Sequence, residues 1–410
     1  EVVVMGGVRR SAMISLSNLS DDKMRYAKSG KWYESEPQRG LANNSVAYSK
    51  KPDSMAFMRE WTSLMESGSG ERGIFNRQAS IKQAGKNGRR NPNYDFGTNP
   101  CSEIILRPNQ FCNLSEVVIR ATDTLKDIEQ KVRVATILGT IQSTYTNFPY
   151  LRKIWQTNTE AERLLGVSLT GIMDNPLMTL KNEGLSQTLE YLKHVAVTTN
   201  AEWSERLGIP VSTAITCVKP SGTVSQLVDS SSGIHSRHSP YYIRTVRADN
   251  KDPLTQFMKD QGIPSEPDVF NPDVTEVFSF PMKSPKGAVV TADMSAIQQL
   301  DMWLAYQRSW CEHKPSVTIN IKAEEWFEVG AFVYKNFDEM SGVSFLPFDD
   351  HTYQQAPYQD CSESDYNTLM SCMPNSINWE GLSEYEVEDN TSGMQTLACT
   401  GDVCEMVDIT

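Results

Sequence analysis

Long apolar runs are missing from this chain. No stretch approaches the roughly 18 consecutive apolar residues that span a bilayer, and the start carries no charged-then-apolar signal, so nothing reads as crossing a membrane. Blocks of positive charge are missing as well. The longest are the pairs Arg9-Arg10, Lys50-Lys51 and Arg89-Arg90 in a chain of formal net charge -12, so no extended surface for nucleic acid or acidic lipid is advertised. An anionic ligand is therefore expected on local backbone donors. Cysteine is scarce, eight in 410 residues, too few for a disulfide scaffold. The expected compartment is the reducing cytosol, where each thiol needs its own explanation. Tandem repeats and low-complexity tracts are also absent. Five histidines are present; His235 and His238 stand near the KPSGTVS stretch, and none is assigned to a metal.

What remains is ordinary globular composition, 22% charged and 39% hydrophobic, enough for one very large domain or two to three smaller ones. Glu1 is not an initiator methionine, and the chain opens in VVVMGG, which reads as a buried strand and as the later part of something longer. Residues 1–17 suggest strand, glycine turn, strand. Residues 20–70 are polar and helix-prone, ending in the loop ESGSGERG. From Arg77 to Asn99, Gly, Asn, Lys and Arg without apolar periodicity predict a long loop. Leu125, Ile128, Val132, Ala135, Ile137, Leu138 and Ile141 form a helical stripe within 122–147, with Thr122 and Asp123 as caps. A second helix is predicted over 185–207. TAITCVKPSGTVSQL then switches from strand to loop to helix, and residues 316–347 repeat strand, helix, strand. Such alternation predicts an α/β layered or barrel domain. The last 30 residues turn acidic, lose the apolar pattern and read as a mobile tail.

Three features carry possible chemistry. In TNPCSEIIL, an amide, a thiol and a carboxylate alternate at Asn99, Cys101 and Glu103; an extended stretch would point all three to one side. Cys112 follows eleven positions after Cys101. Such a cysteine can be a nucleophile, a metal ligand, a redox partner, a hydrogen-atom donor or simply a buried thiol. No cation or histidine lies nearby in sequence to activate Cys101 as a nucleophile, and neither C-x-x-C spacing nor a close histidine supports metal at Cys101 or Cys112. The second feature is Cys399-x4-Cys404, a dithiol on the acidic tail suited to thiol exchange; inert thiols or half of a zinc site are the alternatives. The third is KPSGTVS, in which Pro220, Ser221, Gly222, Thr223 and Ser225 form either an anion-binding strand-to-helix loop or an ordinary capped turn.

Together NPCSEI, CNLSE, PSGTVS and the terminal C-x4-C resemble the ribonucleotide reductases. The longer stretches GGVRRSAMISLSN, FPMKSPKGAVVTADMSAIQQL and WCEHKPSVTINIKAEEWFEVGAFVYKNFDEMSGVSFLPFDDHTYQQAPYQ resemble the adenosylcobalamin-dependent class II enzymes, particularly the monomeric, thioredoxin-linked ribonucleoside-triphosphate reductases. Class I large subunits carry a tyrosine pair for radical entry well after the phosphate loop. Here the pair Tyr241-Tyr242 lies about 20 residues after it, lacks the family's surroundings, and reads as packing. Class III enzymes end in a glycyl-radical motif, whereas this chain ends in C-x4-C.

The resemblance implies a ten-stranded α/β barrel with a central finger loop. It places Cys101 as the thiyl-radical cysteine, Glu103 as the base for the 3'-hydroxyl, and Asn99 as the amide on the sugar hydroxyls. Cys112 would be one of two cysteines that reduce the 2'-carbon, Cys399 and Cys404 the tail pair recharged by thioredoxin, and residues 220–225 the substrate-phosphate loop. Adenosylcobalamin is the implied cofactor, a ribonucleotide, with triphosphate favoured over diphosphate, the implied substrate. The family's partner for Cys112 lies upstream of GGVRRS, so the N-terminal part of the barrel is expected to be missing from this chain and supplied by an N-terminal reductase piece. Cys217, Cys311, Cys361 and Cys372 read as ordinary buried or loop thiols. The implied organisation is 1–118 as the end of the first half-barrel plus finger loop, 119–380 as the second half-barrel, and 381–410 as a redox-active tail. A class I large-subunit fragment and a non-catalytic nucleotide-binding remnant are the alternatives.

Overall fold

The computed structural model describes residues 13–348 and 354–386; the GGVRR segment and the Cys399–Cys404 pair lie outside the described residues. In chain order the elements are β1 (Met13–Ser17), β2 (Ala42–Tyr48), α1 (Ser54–Ser67), β3 (Gly73–Asn76), α2 (Arg77–Gly85), β4 (Gly97–Thr98), β5 (Ile105–Leu106), β6 (Asn113–Val118), α3 (Leu125–Gln142), α4 (Lys153–Glu162), β7 (Leu165–Thr170), α5 (Leu185–Leu207), β8 (Tyr241–Asp249), α6 (Pro253–Asp260), β9 (Ser265–Pro267), β10 (Thr275–Lys283), α7 (Ala296–Ser309), β11 (Thr318–Ile321), α8 (Trp326–Lys335), β12 (Gly342–Pro347), β13 (Tyr358–Asp360) and α9 (Glu363–Cys372). Among the described residues no helix is long and apolar enough to cross a membrane.

Helix α5 occupies the predicted 185–207, and α3 falls within 122–147. Its cap is Thr124, in a reciprocal capping box with Asp127, one residue beyond the expected Thr122 and Asp123. The expected loop from Arg77 to Asn99 is a helix in its first half. The Asn76 side chain caps α2 by accepting from the Ala79 N–H at 3.0 Å. Its buried face is Ala79, Ser80, Gln83 and Ala84, small and polar, so no apolar stripe announces it. Residues 20–70 hide β2 in the same way, because ANNSVAY buries asparagine and serine beside Val46.

Two groups of parallel strands meet back to front. Strands β1, β2 and β3 run parallel in that order, β3 pairs antiparallel with β12, and β12 is parallel to β11. Beyond β11 the ladder continues through single bridges: Pro315 to Val218, then Thr216 to Val167 of β7, which is parallel to β6. The residues 214–218 predicted as a strand are thus extended but too irregular for a full ladder. Leu165, Val167 and Leu169, alternate residues of β7, pack in one core with Leu189, Leu192 and Ala196 of α5, Leu300 and Trp303 of α7, and Ile319 and Ile321 of β11. Full burial of each such side chain stabilises the fold by about 1.5–3 kcal/mol. A second, antiparallel sheet runs β13-β8-β10-β9. Tyr241 and Tyr242 open β8: Tyr242 is buried and accepts from Arg237, and Tyr241 donates to Glu363.

Candidate active site

Strands β4 and β5 pair Gly97 with Leu106 and Thr98 with Ile105, and this narrow stem carries residues 99–104 as a finger. The tip is a turn, not the extended stretch expected from the alternation. The Ser102 N–H donates to the Asn99 carbonyl at 2.9 Å, and Ser102 takes φ +66°. The Asn99 side-chain carbonyl accepts from the Ile104 N–H at 2.9 Å, and the Thr98 hydroxyl donates to the Ile104 carbonyl at 2.8 Å. Asn99 therefore braces the turn with its oxygen and keeps its NH2 end for other contacts.

The finger is gripped from both strand groups. On one side Asn43 of β2 donates to the Pro100 carbonyl at 2.8 Å. On the other, residues 313–316 hold it at four points. The Ser316 hydroxyl donates to the Cys101 carbonyl at 2.5 Å, Lys314 Nζ to Ser102 Oγ at 2.8 Å, the Lys314 N–H to the Glu103 carbonyl at 3.2 Å, and the Ile105 N–H to His313 Nδ1 at 3.2 Å. Because Nδ1 accepts, His313 carries its proton on Nε2, which donates to the Leu165 carbonyl at 2.9 Å. Burial, with help from Arg90, pulls His313 down to about 3. Room for Lys314 comes from Gly342: a Cβ there would lie 2.8 Å from Lys314 Nζ and 2.9 Å from Ser102 Oγ. Below the finger, buried Arg90 pairs with Glu162 at 2.9 Å and donates to the Ile105 carbonyl.

Cys101 is half-buried, and Lys219 Nζ stands 4.0 Å from its sulfur. The same ammonium is 3.8 Å from Glu103 Oε1. Glu103 is fully buried, and neither of its oxygens has a hydrogen-bond partner, an expensive state unless a ligand supplies a donor. No cation neighbours Cys101 in sequence; the fold brings Lys219 to it from 118 residues away. A second buried cation, Lys314, is drawn down to about 7 by burial against the opposing charge of Glu103. Burial also pushes the Cys112 thiol up, with Glu103 adding to the effect. A Cβ on Gly166 would approach Cys112 Sγ to 3.3 Å and Leu114 to 2.4 Å, so that glycine makes the space in which the thiol sits.

The cavity beside the finger, about 170 Å³, is lined by Cys101 together with Pro220, Gly222, Gln226, Arg244 and Tyr358 and with Asn43, Ser45, Gly70 and Ser344. In the 220–225 loop, Gly222 and Thr223 are exposed and Ser225 is buried with its hydroxyl unpartnered. Ser221 is turned away from the cavity, donating to Glu116 at 2.6 Å. Burial raises Glu116. The helix after the loop is a single turn, Val224–Leu227. Backbone donors are thus not alone: Lys219 and Arg244 bring positive charge. His235 lines the cavity, with Nδ1–H donating to the Ser232 carbonyl at 2.9 Å and Nε2 accepting from the Thr318 N–H at 3.2 Å, so both nitrogens are engaged by backbone. His238 is 3.0 Å from Asp360. Cys217 and Cys311 are buried, Cys361 half-buried and Cys372 exposed.

Sequence reasoning missed Lys219, Glu116, His313 and Lys314. Lys219 adjoins the recognised PSGTVS loop. His313 and Lys314, charged residues leading directly into the apolar run SVTINI, carried the one signal that could have marked them.

No family model matches the chain. It is 27% identical over 415 residues to the adenosylcobalamin-dependent ribonucleoside-triphosphate reductase of Euglena gracilis, covering 98% of this chain and 54% of that protein. It is 28% identical over 408 residues to the protein of the same name from Lactobacillus gasseri, covering 89% of this chain and 52% of the relative. The chain spans about half the length of these curated relatives. Among solved structures, it superposes on a B12-dependent class II ribonucleotide reductase with a TM-score of 0.76 at 24% identity, covering 92% of this chain and 56% of the other. It also superposes on the class Id α subunit of Actinobacillus ureae with a TM-score of 0.56 at 12% identity, over 82% of this chain and 70% of that one. These similarities bear out the resemblance to class II reductases read from the sequence, and the fold is of that α/β type.

Proposed function

We propose that this chain is the catalytic portion of an adenosylcobalamin-dependent reductase that converts ribonucleotides, with triphosphates favoured, to 2'-deoxyribonucleotides. The observation that carries the reading is Cys101 at the tip of a braced finger, facing a cavity, beside a buried Glu103 carboxylate that has no hydrogen-bond partner. In this reading the Cys101 sulfur, as a thiyl, takes the ribose 3'-hydrogen and later returns it. Glu103 accepts the 3'-hydroxyl proton, and the Asn99 NH2 holds the sugar hydroxyls. The 2'-hydroxyl leaves as water; Cys112 and a second thiol supply two electrons and two protons and become a disulfide. Cys399 and Cys404 exchange with that disulfide and are recharged by thioredoxin, whose potential of about -270 mV suits the task. The 220–225 loop, with Lys219 and Arg244 nearby, receives the phosphates. The grip on the finger supports the reading, since a radical site must be rigid and dry.

Fit to the cofactor is supported by the polar part of the cavity lining, where Asn43, Ser45 and Ser344 share the cavity with Cys101. These residues would hold the adenosyl group, which when bound supplies the radical chemistry that activates the thiol.

The ten-stranded barrel is part of the proposal. Counting the 214–218 segment, β6, β7, that segment, β11 and β12 make five parallel strands against three in β1, β2 and β3. Among the described residues β1 and β6 each pair on one side only. Two further strands between those edges would close the barrel and bring a second thiol to Cys112. In this reading the organisation is 1–118 with the finger, 119–380 with the phosphate loop, and 381–410 as the redox tail. A class I fragment is less well supported, because Tyr241 and Tyr242 pack in the second sheet and neither lines the Cys101 cavity.

The test is anaerobic incubation of the chain with adenosylcobalamin, CTP and a dithiol, alone and with a polypeptide carrying the N-terminal half of a relative. The expected result is dCTP only in the mixture. No product in either arm would contradict the reading; product from the chain alone would contradict the need for a further piece.

A further inference from the structure

One cation beside the phosphate loop, Lys219, also stands against both Cys101 and Glu103. The Lys219 backbone is fixed where the 214–218 segment crosses β7, its N–H donating to buried Ser168 Oγ at 2.8 Å. From that anchor Nζ reaches between the finger and the 220–225 loop, 3.8 Å from Glu103 Oε1 and 4.0 Å from Cys101 Sγ. A buried carboxylate with no hydrogen bond is costly unless an opposite charge stands close by. In general an opposite charge within about 4–6 Å favours a group's ionised form by about 1–3 pH units. The same ammonium acts on the neighbouring sulfur, whose thiolate it favours, while Glu103 opposes it.

Other titratable and charged groups surround this point: Glu71 lines the cavity, and the buried thiols of Cys112 and Cys217 both feel Glu103. Glu116 of β6 also feels Lys219 as a favourable charge. Lys314 lies behind Ser102, Arg244 lines the cavity from β8, and His235 lines it with both nitrogens committed to backbone. Lys219 is the cation among them placed within 4.0 Å of both reactive groups.

We infer that Lys219 is a positioning residue, the ammonium that couples the Glu103 carboxylate to the Cys101 sulfur and sets the reactivity of that thiol. Its meaning for turnover rests on the proposed function, but the electrostatic coupling does not. Lys219 is partly exposed, its side chain 29% accessible, so solvent screening places the effect near the low end of that range, about one pH unit.

The experiment is the pH profile of iodoacetamide alkylation at Cys101, read by peptide mass spectrometry on the folded full chain without nucleotide or cofactor. K219M is expected to raise the midpoint by about one pH unit and K219R to leave it near wild type. E103Q, which leaves Lys219 facing the sulfur alone, is expected to lower it. The opposite signs separate coupling from a general loosening of the finger, and E103Q keeps the test informative if K219M does not fold. Unmoved profiles, or shifts of the same sign in K219M and E103Q, would overturn the inference. Because no turnover is measured, failure here leaves the reductase reading to its product assay, and failure of that assay leaves the coupling intact.

Discussion

Replacing Lys314 with methionine separates what the site needs from what the fold prefers. Lys314 is fully buried, donates to Ser102 Oγ at 2.8 Å and lies 4.5 Å from the centre of the Phe75 ring. Burial lowers it to about 7, whereas in the unfolded chain it keeps an ordinary value near 10.4. Between those values the unfolded chain holds more protons than the folded one, so stability rises with pH across the window, fastest near its middle. From about pH 7.5 to about pH 9.5 the gain is on the order of 2–3 kcal/mol. Methionine fills a similar volume without the charge and removes this slope. At pH 7.5, where the folded chain holds Lys314 mostly neutral, it relieves a cost on the order of 4 kcal/mol and loses a neutral hydrogen bond worth about 1 kcal/mol, leaving the variant about 3 kcal/mol more stable. The assay is urea denaturation of both proteins at the two pH values, where the double difference cancels every other titrating group. Wild type is expected to gain on the order of 2–3 kcal/mol more than K314M on going to the higher pH. Parallel behaviour would refute the argument. Because Ser102 loses the contact that helps hold its left-handed turn, activity is expected to fall even as stability rises.

Three further outcomes follow from particular contacts. H313L strips partners from the Ile105 N–H and the Leu165 carbonyl, so its urea midpoint at neutral pH should report a loss of about 2–4 kcal/mol. Since His313 sits at about 3 in the folded chain, wild type loses stability as pH falls below about 6.5, and the deficit of H313L should narrow in acid; a constant gap would count against the assigned tautomer. G166A drives a methyl group against Leu114 and Cys112, with an expected cost of about 1–3 kcal/mol in thermal melts and faster alkylation of Cys112. Within the proposed function, E103Q should lower product formation by at least about a hundredfold with little change in KM for the nucleotide; a loss confined to KM would assign Glu103 to binding.

The regular parts of the fold were legible because their burial is periodic. The length of α5 is written in apolar spacing, and so is the β11-α8-β12 succession; of the α3 stripe, Ile128, Val132 and Ala135 are buried, whereas Leu125 and Leu138 are exposed and Thr136, Gly139 and Thr140 complete the buried face. Where buried faces are polar the pattern fails: α2 buries Ser80 and Gln83, and β2 buries Asn44 and Ser45. The finger was legible as chemistry, from Asn99, Cys101 and Glu103, but not as geometry. Its turn at Ser102 is held by residues 313–316, more than 200 positions away. The electrostatics were hidden for the same reason, since Lys219 and Lys314 reach Cys101 and Glu103 only through the crossing of the sheet strands.

The central claim is that Cys101 is the residue on which ribonucleotide reduction depends, and one comparison tests it most directly. In the anaerobic mixture with the N-terminal half of a relative, adenosylcobalamin, CTP and a dithiol, dCTP is measured for wild type, C101A and C372A. Cys372 is an exposed thiol at the end of α9. Product from wild type and C372A, with none from C101A, is the expected result; product from C101A at the wild-type rate would contradict it.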